Sequence, residues 1–286
     1  MHQQDAWLIG LVRSQSFDEI PHSLSAQPIF AAQALSPWNG YGAADPFAIW
    51  VDGTCYVFFE MLVRSQKNAV IAVASSNDLE HWQVEGIAIQ EAYHLSYPFV
   101  FHYAGQIYMM PESKSQRRVD LYRAVDFPMR WEKVGPMIYG RVMDASFVEH
   151  EGRFWMFAGW HSYWLRLFYA DSPLGPWKAH WQPIARLYSK RDVRPGGRPV
   201  QVGGALIRFA QDNRKHYGHQ LRAMQVVKMN RLWFRERAWV GSMTRSTEPF
   251  LSPKQDRWYS RCLHHLDVGF YNDQANGHWL GFFDGY

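Results

Sequence analysis

A glycine in a tight-turn setting, followed at once by an aromatic-rich run, recurs five times along this 286-residue chain. The copies are Asp52-Gly53 before TCYVFFE, Ala104-Gly105 before QIYMMPE, Glu151-Gly152 before RFWMFAG, Gly203-Gly204 before ALIRFAQ and Asn276-Gly277 before HWLGFFD. Turns of this kind between apolar runs predict hairpins, because glycine accepts the positive φ of a two-residue reversal. The glycines lie 52, 47, 52 and 73 residues apart. A further strand precedes each turn, and 70–75, 119–124, 165–170 and 221–227 read as third strands. The fifth unit runs out of chain at Tyr286, and its missing outer strands are available in Trp7–Ser14 and the segment up to Phe30. The expectation is an all-β, five-bladed β-propeller, one domain over 1–286, whose last blade is closed by N-terminal strands. A β-sandwich would explain the strands but not the repeat.

Aromatic residues make up 16% of the chain, which suits strand packing first and sugar stacking second. Two cysteines, Cys55 and Cys262, are too few for a disulfide framework or a cysteine-rich zinc site. No signal peptide is visible at Met1–Gly10, and no run approaches the roughly 20 apolar residues of a membrane helix. The expected location is cytoplasmic. The net charge of +4 is unevenly spread: 13 Lys/Arg face three acids between Arg186 and Arg237, a local +10 that leaves −6 for the rest. This basic stretch, about 186–237, reads as an insertion that either attracts an anionic partner or is a solvated rim.

Repeat registration says where chemistry would gather. Asp45, Tyr97, Asp144, Gly196 and Gly269 stand eight residues before the turn glycines; Glu60, Glu112, Gly159, Gln211 and Asp284 stand seven after. In an antiparallel hairpin these two positions return to the same end. A ring of acids at one channel mouth costs electrostatic energy that folding alone does not require. It fits glycosidic chemistry, in which one acid protonates the leaving oxygen, another attacks or activates water, and a third sets a pKa. The competing view is that Asp-Pro and Asp-Ala-Ser are ordinary turn starters. Arg194 in RPGGRP opens the fourth inner strand, where two glycines would let a ligand approach the backbone. Gln211-Asp212 and Tyr217-Gly218 lie beside it, and His264-His265 begins the fifth inner strand. His216-x-x-His219 has metal-like spacing but no further ligand nearby in sequence. No metal or other cofactor is expected.

AADPF (43–47), VFFE (57–60), HLSYPFVF (94–101), MPES (110–113), DASFVEHEG (144–152), RPGG (194–197) and QDNRKHYG (211–218) resemble the N-terminal propeller domain of plant glucosamine inositolphosphorylceramide transferases and its bacterial stand-alone relatives. The resemblance implies a five-bladed propeller related to glycoside hydrolase families 43, 32, 62 and 68. It implies Asp45 as base or nucleophile and Asp144 as the acid that orients substrate and modulates pKa. The clan's general acid is a Glu from a later blade; here that position offers Gln211 and Asp212, which leaves Glu112 as the candidate acid. Glu60, Tyr97, Arg194, Gln211, Asp212, Tyr217 and His265 complete the expected binding set, with Tyr97 and His265 on the sugar ring.

Three functions follow as expectations. The first is an enzyme, a glycoside hydrolase or glycosyltransferase, that cleaves or transfers a glycosidic bond to a furanose or acidic sugar in glycan assembly or remodelling. Its substrate would be a carbohydrate or nucleotide sugar, with Arg194 and the basic stretch holding a negative group. The second is a non-catalytic glycan-binding propeller serving a partner glycosyltransferase. The third and weakest is a nucleic-acid-binding propeller using the Arg186–Arg237 cations.

Overall fold

The computed structural model describes residues 6–64, 66–161, 164–182, 184–185, 191–241, 248–273 and 276–286. Five antiparallel sheets form the blades of a propeller. The first blade runs Gly40–Val51, Thr54–Val63, Val70–Ser76 and Gln83–Ile89, and the second Ser96–Tyr103, Gln106–Glu112, Arg118–Asp126 and Arg130–Tyr139. The third comprises Val142–His150, Arg153–Trp160 and Trp164–Ala170, with a split outer edge at Lys178–Ala179 and Ile184–Ala185. In the fourth the inner edge is split, into Arg191–Pro195 and Val200–Val202; Ala205–Asp212, Gln220–Met229 and Phe234–Ala238 follow. The four expected turns at Gly53, Gly105, Gly152 and Gly204 are all made, with both central residues at positive φ.

The fifth blade departs from expectation in two ways. It has three strands, Leu266–Asp273, Asn276–Gly285 and the N-terminal Leu8–Ser14, the last pairing Ile9 with Asp284. One N-terminal strand, not two, closes the ring; the following stretch makes a single bridge, Val12 to Leu24, and the short 3-10 helices Phe17–His22 and Ala32–Trp38. Its hairpin is also displaced. Asp273 pairs with Asn276 and Asn272 with Gly277, so Asn276-Gly277 belongs to the paired strand, and 274–275 lie outside the described residues. The 186–237 stretch is not an insertion either: from Arg191 to Ala238 it is the fourth blade itself, and the extra length follows it.

Adjacent blades bury their facing strands in apolar seams. In Thr54–Val63 the alternation is legible: Cys55, Val57, Phe59 and Met61 pack with Ile9 and Phe282 of the fifth blade. Phe58 faces the other way, into a core shared with Phe99, Met109 and Met156 of blades two and three. Leu206 meets Phe157 across the next seam, and Phe209 meets Phe283 across the one after. Both faces of a blade strand are covered, which explains its near-continuous apolar sequence. Each such phenylalanine contributes about 1.5–3 kcal/mol on burial.

Four of the eleven cations of 191–237 are spent inside the wheel. Arg208 is fully buried on Glu236 (2.7 Å), and Arg222 and Asp192 pair at 2.9 Å with both side chains 2% exposed. Arg194 pairs with Asp144 and Arg198 with Asp267, and half-exposed Arg214 pairs with buried Asp212. The expected external positive field is lowered by these carboxylates, which weakens the support for nucleic-acid binding.

Candidate functional site

Each of the first four inner strands breaks its register near its start. The shifts fall between Ala44 and Phe47, Ser96 and Phe99, Met143 and Ser146, and Arg191 and Pro195. Inside them Asp45, Tyr97, Asp144 and Asp192 adopt φ of 53°, 48°, 50° and 66°. These are bulges that re-aim side chains toward the axis, a backbone state that Asp tolerates better than most residues. Folding alone favours glycine there, so an aspartate in that conformation points to use.

The carboxylates gather as expected, in two latches between neighbouring blades. The Asp45 N–H donates to Asp284 Oδ2 of the fifth blade (2.9 Å). The Asp144 N–H donates to Glu112 Oε2 of the second (2.8 Å), and the Glu112 and Asp144 carboxyl groups also hydrogen-bond each other. Arg194 grips Asp144 through Nε and Nη2, and Gln211 donates to Asp144 Oδ2 (2.8 Å) and to the Pro195 carbonyl (2.8 Å). Asp284 Oδ1 receives the His265 N–H (3.1 Å) and lies 2.9 Å from His264 Nδ1. His264 Nε2 in turn sits 2.9 Å from the Tyr217 hydroxyl.

Electrostatics split the four acids into two kinds. Burial pushes Asp45 well above the usual carboxylate range against the opposing pull of His264, with Asp144, Glu60 and Asp284 adding repulsion. Burial, then the Asp144 charge, raises Glu112 in the same way. Burial also works on Asp144 and Asp284, but here it loses: the Arg194 guanidinium holds Asp144 below the ordinary value, and His264 does so for Asp284. His264 is raised to about 9, its desolvation outweighed by Asp284 and Asp45. His265, by contrast, is lowered to about 4 by burial and is neutral at pH 7. The mouth therefore sets two acids whose ionised form a neighbouring cation favours beside two whose ionisation burial opposes.

Other expected residues lie off the mouth. Tyr97 is fully buried; its hydroxyl donates to the Gly197 carbonyl (3.1 Å) and accepts the Gly197 N–H (2.8 Å), which makes it a brace between blades rather than a sugar contact. His265 lies beneath Asp45, with Nε2 2.8 Å from the Pro46 carbonyl and Nδ1 3.7 Å from Asp45 Oδ1. Asp212 is buried and bound to Arg214 and Gln220. Glu60 meets half-exposed His94 at 3.1 Å on the rim. The RPGG glycines admit no ligand: a methyl on Gly197 would overlap the Leu266 carbonyl, and one on Gly196 would meet Leu221 and the His264 carbonyl. Gly269 faces the opposite channel end, where Arg198 and Asp267 line a separate cavity of 400 Å³. Counting back from a displaced hairpin put it in the wrong place, and His264, just ahead of this strand, joins the mouth instead.

Two participants escaped residue-level expectation. Asp284 was found by registration but given no role. Trp7 stacks on His264 with ring centres 4.4 Å apart, and nothing in its local sequence marks it. Among the described residues, Asp45, His264 and Asp284 are the group whose ligand atoms fall within 4.8 Å of one another. Both His264 nitrogens are engaged, by Asp284 and Tyr217, so the trio works as a hydrogen-bond chain and not as a ready cation cage. Also among the described residues, no helix is long and apolar enough to cross a membrane.

Residues 23–286 match the family described as glucosamine inositolphosphorylceramide transferase 1, N-terminal. Glucosamine inositolphosphorylceramide transferase 1 of Arabidopsis thaliana is 34% identical over 251 residues, 85% of this chain and 32% of that protein. The Oryza sativa subsp. japonica protein of the same name is likewise 34% identical, over 85% and 33%. The chain thus spans about a third of the length of the curated relatives it matches. Among solved structures, the RS223 β-xylosidase aligns with a TM-score of 0.59 at 12% identity, covering 74% of this chain and 79% of that one. The exo-β-1,3-galactanase 1,3Gal43A of Clostridium thermocellum gives 0.62 at 11%, covering 83% and 57%. Likeness at that identity establishes the fold alone.

Proposed function

Because this chain belongs to the family of the glucosamine inositolphosphorylceramide transferase 1 N-terminal domain, we propose that its acidic mouth acts on a glycosidic bond, to a furanose or acidic sugar, by hydrolysis or transfer. The observation that carries this reading is the gathering of four buried carboxylates from four blades into two hydrogen-bonded pairs, Asp45 with Asp284 and Asp144 with Glu112, with His264 on one pair and Arg194 on the other. Glu112, kept protonated, is the general acid for the leaving oxygen. Asp45, whose proton affinity burial raises and His264 lowers, acts as the base or nucleophile in its ionised form, its proton released to solvent. Asp144, fixed by Arg194 and Gln211, keeps Glu112 protonated through its own charge. Arg194, a fifth exposed on its side chain, faces the negative group of an acidic sugar or nucleotide-sugar donor. The test is turnover of a panel of nucleotide sugars and aryl furanosides. Asp45→Asn and Glu112→Gln should each lower it by about 10²–10⁴ with folding intact, and unchanged rates would remove them from the mechanism.

A second reading is favoured by the depth of the acids: Asp45, Glu112 and Asp144 are 3%, 8% and 1% exposed. On that reading the wheel binds a glycan for a partner glycosyltransferase. Binding that Glu112→Gln leaves unaltered, together with no turnover on any donor, would establish it over the first.

A further inference from the structure

Beside the acidic mouth, the segment Asn213–Tyr217 and the Arg194 side chain enclose a cavity of 220 Å³. Its wall charges are nearly all matched. Arg194 answers Asp144 and Arg214 answers Asp212, whereas Lys215 meets no acid among the described residues. Arg194 also lies 5.4 Å over the Tyr217 ring, and Tyr217 is half exposed. We propose that this cavity is a subsite for the anionic group of a sugar ligand, an acceptor-only phosphoryl or carboxylate, to which Tyr217 presents its hydroxyl proton under the direction of His264 and Asp284. The proposal rests on the carbohydrate reading above and names the substrate class.

Direction comes from donor and acceptor bookkeeping. His264 Nδ1 faces a carboxylate that accepts only, so it carries a proton. When Nε2 is protonated too, it donates to the Tyr217 oxygen, and the phenolic hydrogen must point away from the histidine. An acceptor-only ligand completes that geometry. When His264 holds a single proton, Asp284 keeps it on Nδ1, Nε2 becomes an acceptor, and the phenolic hydrogen turns inward. One proton therefore both supplies charge and aims the donor. The groups that set it surround the ring. Asp284 and Asp45 hold it on, Arg194 opposes it, Asp144 lies farther off, Trp7 covers one face, and Tyr217 closes the edge. Burial keeps the Tyr217 phenol protonated well above its usual range, so it does not titrate in the same window.

Calorimetry on the intact chain with glucose 1-phosphate, glucuronate and glucose tests this. At pH 7.5 at least one of the two anions should bind about tenfold or more tighter than glucose, and which of them does so identifies the anion. Raising the pH to 9.5, where the phosphate stays dianionic and His264, raised to about 9, has largely lost its second proton, should weaken that binding about fourfold. Tyr217→Phe should lose about 10-fold and flatten the pH dependence; Lys215→Ala, a surface change, should weaken binding yet keep the pH step. Equal affinity for glucose, an unaffected Tyr217→Phe, or no pH step would overturn the subsite. Turnover of neutral furanosides without anion affinity would sink this proposal and spare the glycosidic one; anion binding without turnover would do the reverse.

Discussion

The two latches at the channel mouth share one construction and opposite charge. In each, a bulged aspartate of one blade has its N–H held by a carboxylate from the preceding blade: Asp45 by Asp284, Asp144 by Glu112. At the Asp45 latch His264 overrides the burial of the holding acid and lowers it, while burial raises the bulged acid. At the Asp144 latch Arg194 overrides the burial of the bulged acid and lowers it, while burial raises the holder. Backbone geometry therefore does not decide which acid is pushed up; the nearest cation does. A repeated scaffold can thus tune the same position in opposite directions by changing one neighbour.

The largest effect should come from breaking the permanently charged partner. Asp144→Asn leaves Arg194 buried without its anion, a loss of about 3–5 kcal/mol in urea unfolding. Asp284→Asn should cost less, about 2 kcal/mol, since His264 can shed its proton and Arg194 cannot. Equal costs would mean that the latches do not differ in the way described.

The pH profile separates them further. His264 is raised in the folded state, so its contribution is complete below the unfolded value near 6.5 and fades as pH climbs through about 9. That fade is on the order of 3 kcal/mol and should be absent in His264→Gln. Asp45 and Glu112, also raised, push the same way from the ordinary carboxylate range upward. Asp144 and Asp284 are lowered, so their share is present above that range and disappears in acid. Unfolding free energy measured from pH 3 to 10 should therefore fall on both flanks, and a profile flat between pH 6.5 and 9.5 would contradict the His264–Asp284 pairing.

Smaller still, Asp45→Asn and Glu112→Gln replace acids whose ionised form burial already disfavours, and each should alter stability by less than about 1 kcal/mol. The exposed pair Arg123–Glu132 on the second blade gives the baseline. Arg123→Ala should cost about 0.5 kcal/mol or less and vanish into noise at high salt.

The wheel was readable because turn glycines are local signals, and four of five fell where counting put them. The fifth failed because Asn276-Gly277 imitates a hairpin turn while sitting inside a paired strand, which misplaced Gly269 and left His264 without an assigned role. Asp45, Asp144 and Glu112 could be located by register alone. Their bulges could not, since an unpaired residue has no composition signature. Nor could sequence say that Arg194, Arg198, Arg208 and Arg222 spend their charge on buried carboxylates. Partner choice there depends on how blades meet, and acids such as Asp144 and Asp267 lie 50 and 69 residues away from their arginines. Tyr97 shows the same limit: registration put it at the mouth, whereas packing buries it and commits its hydroxyl to Gly197.

Ring closure by Leu8–Ser14 has a temporal consequence. Asp284 rides on the strand that this segment pairs with, and Trp7, just ahead of it, lies against His264. During synthesis the first four blades emerge before that seam can exist, so a nascent or clipped chain carries Asp45 without the Asp284 carboxylate that holds its N–H. The Asp45 latch is assembled in one late event, when Leu8–Ser14 and Asn276–Gly285 zip together.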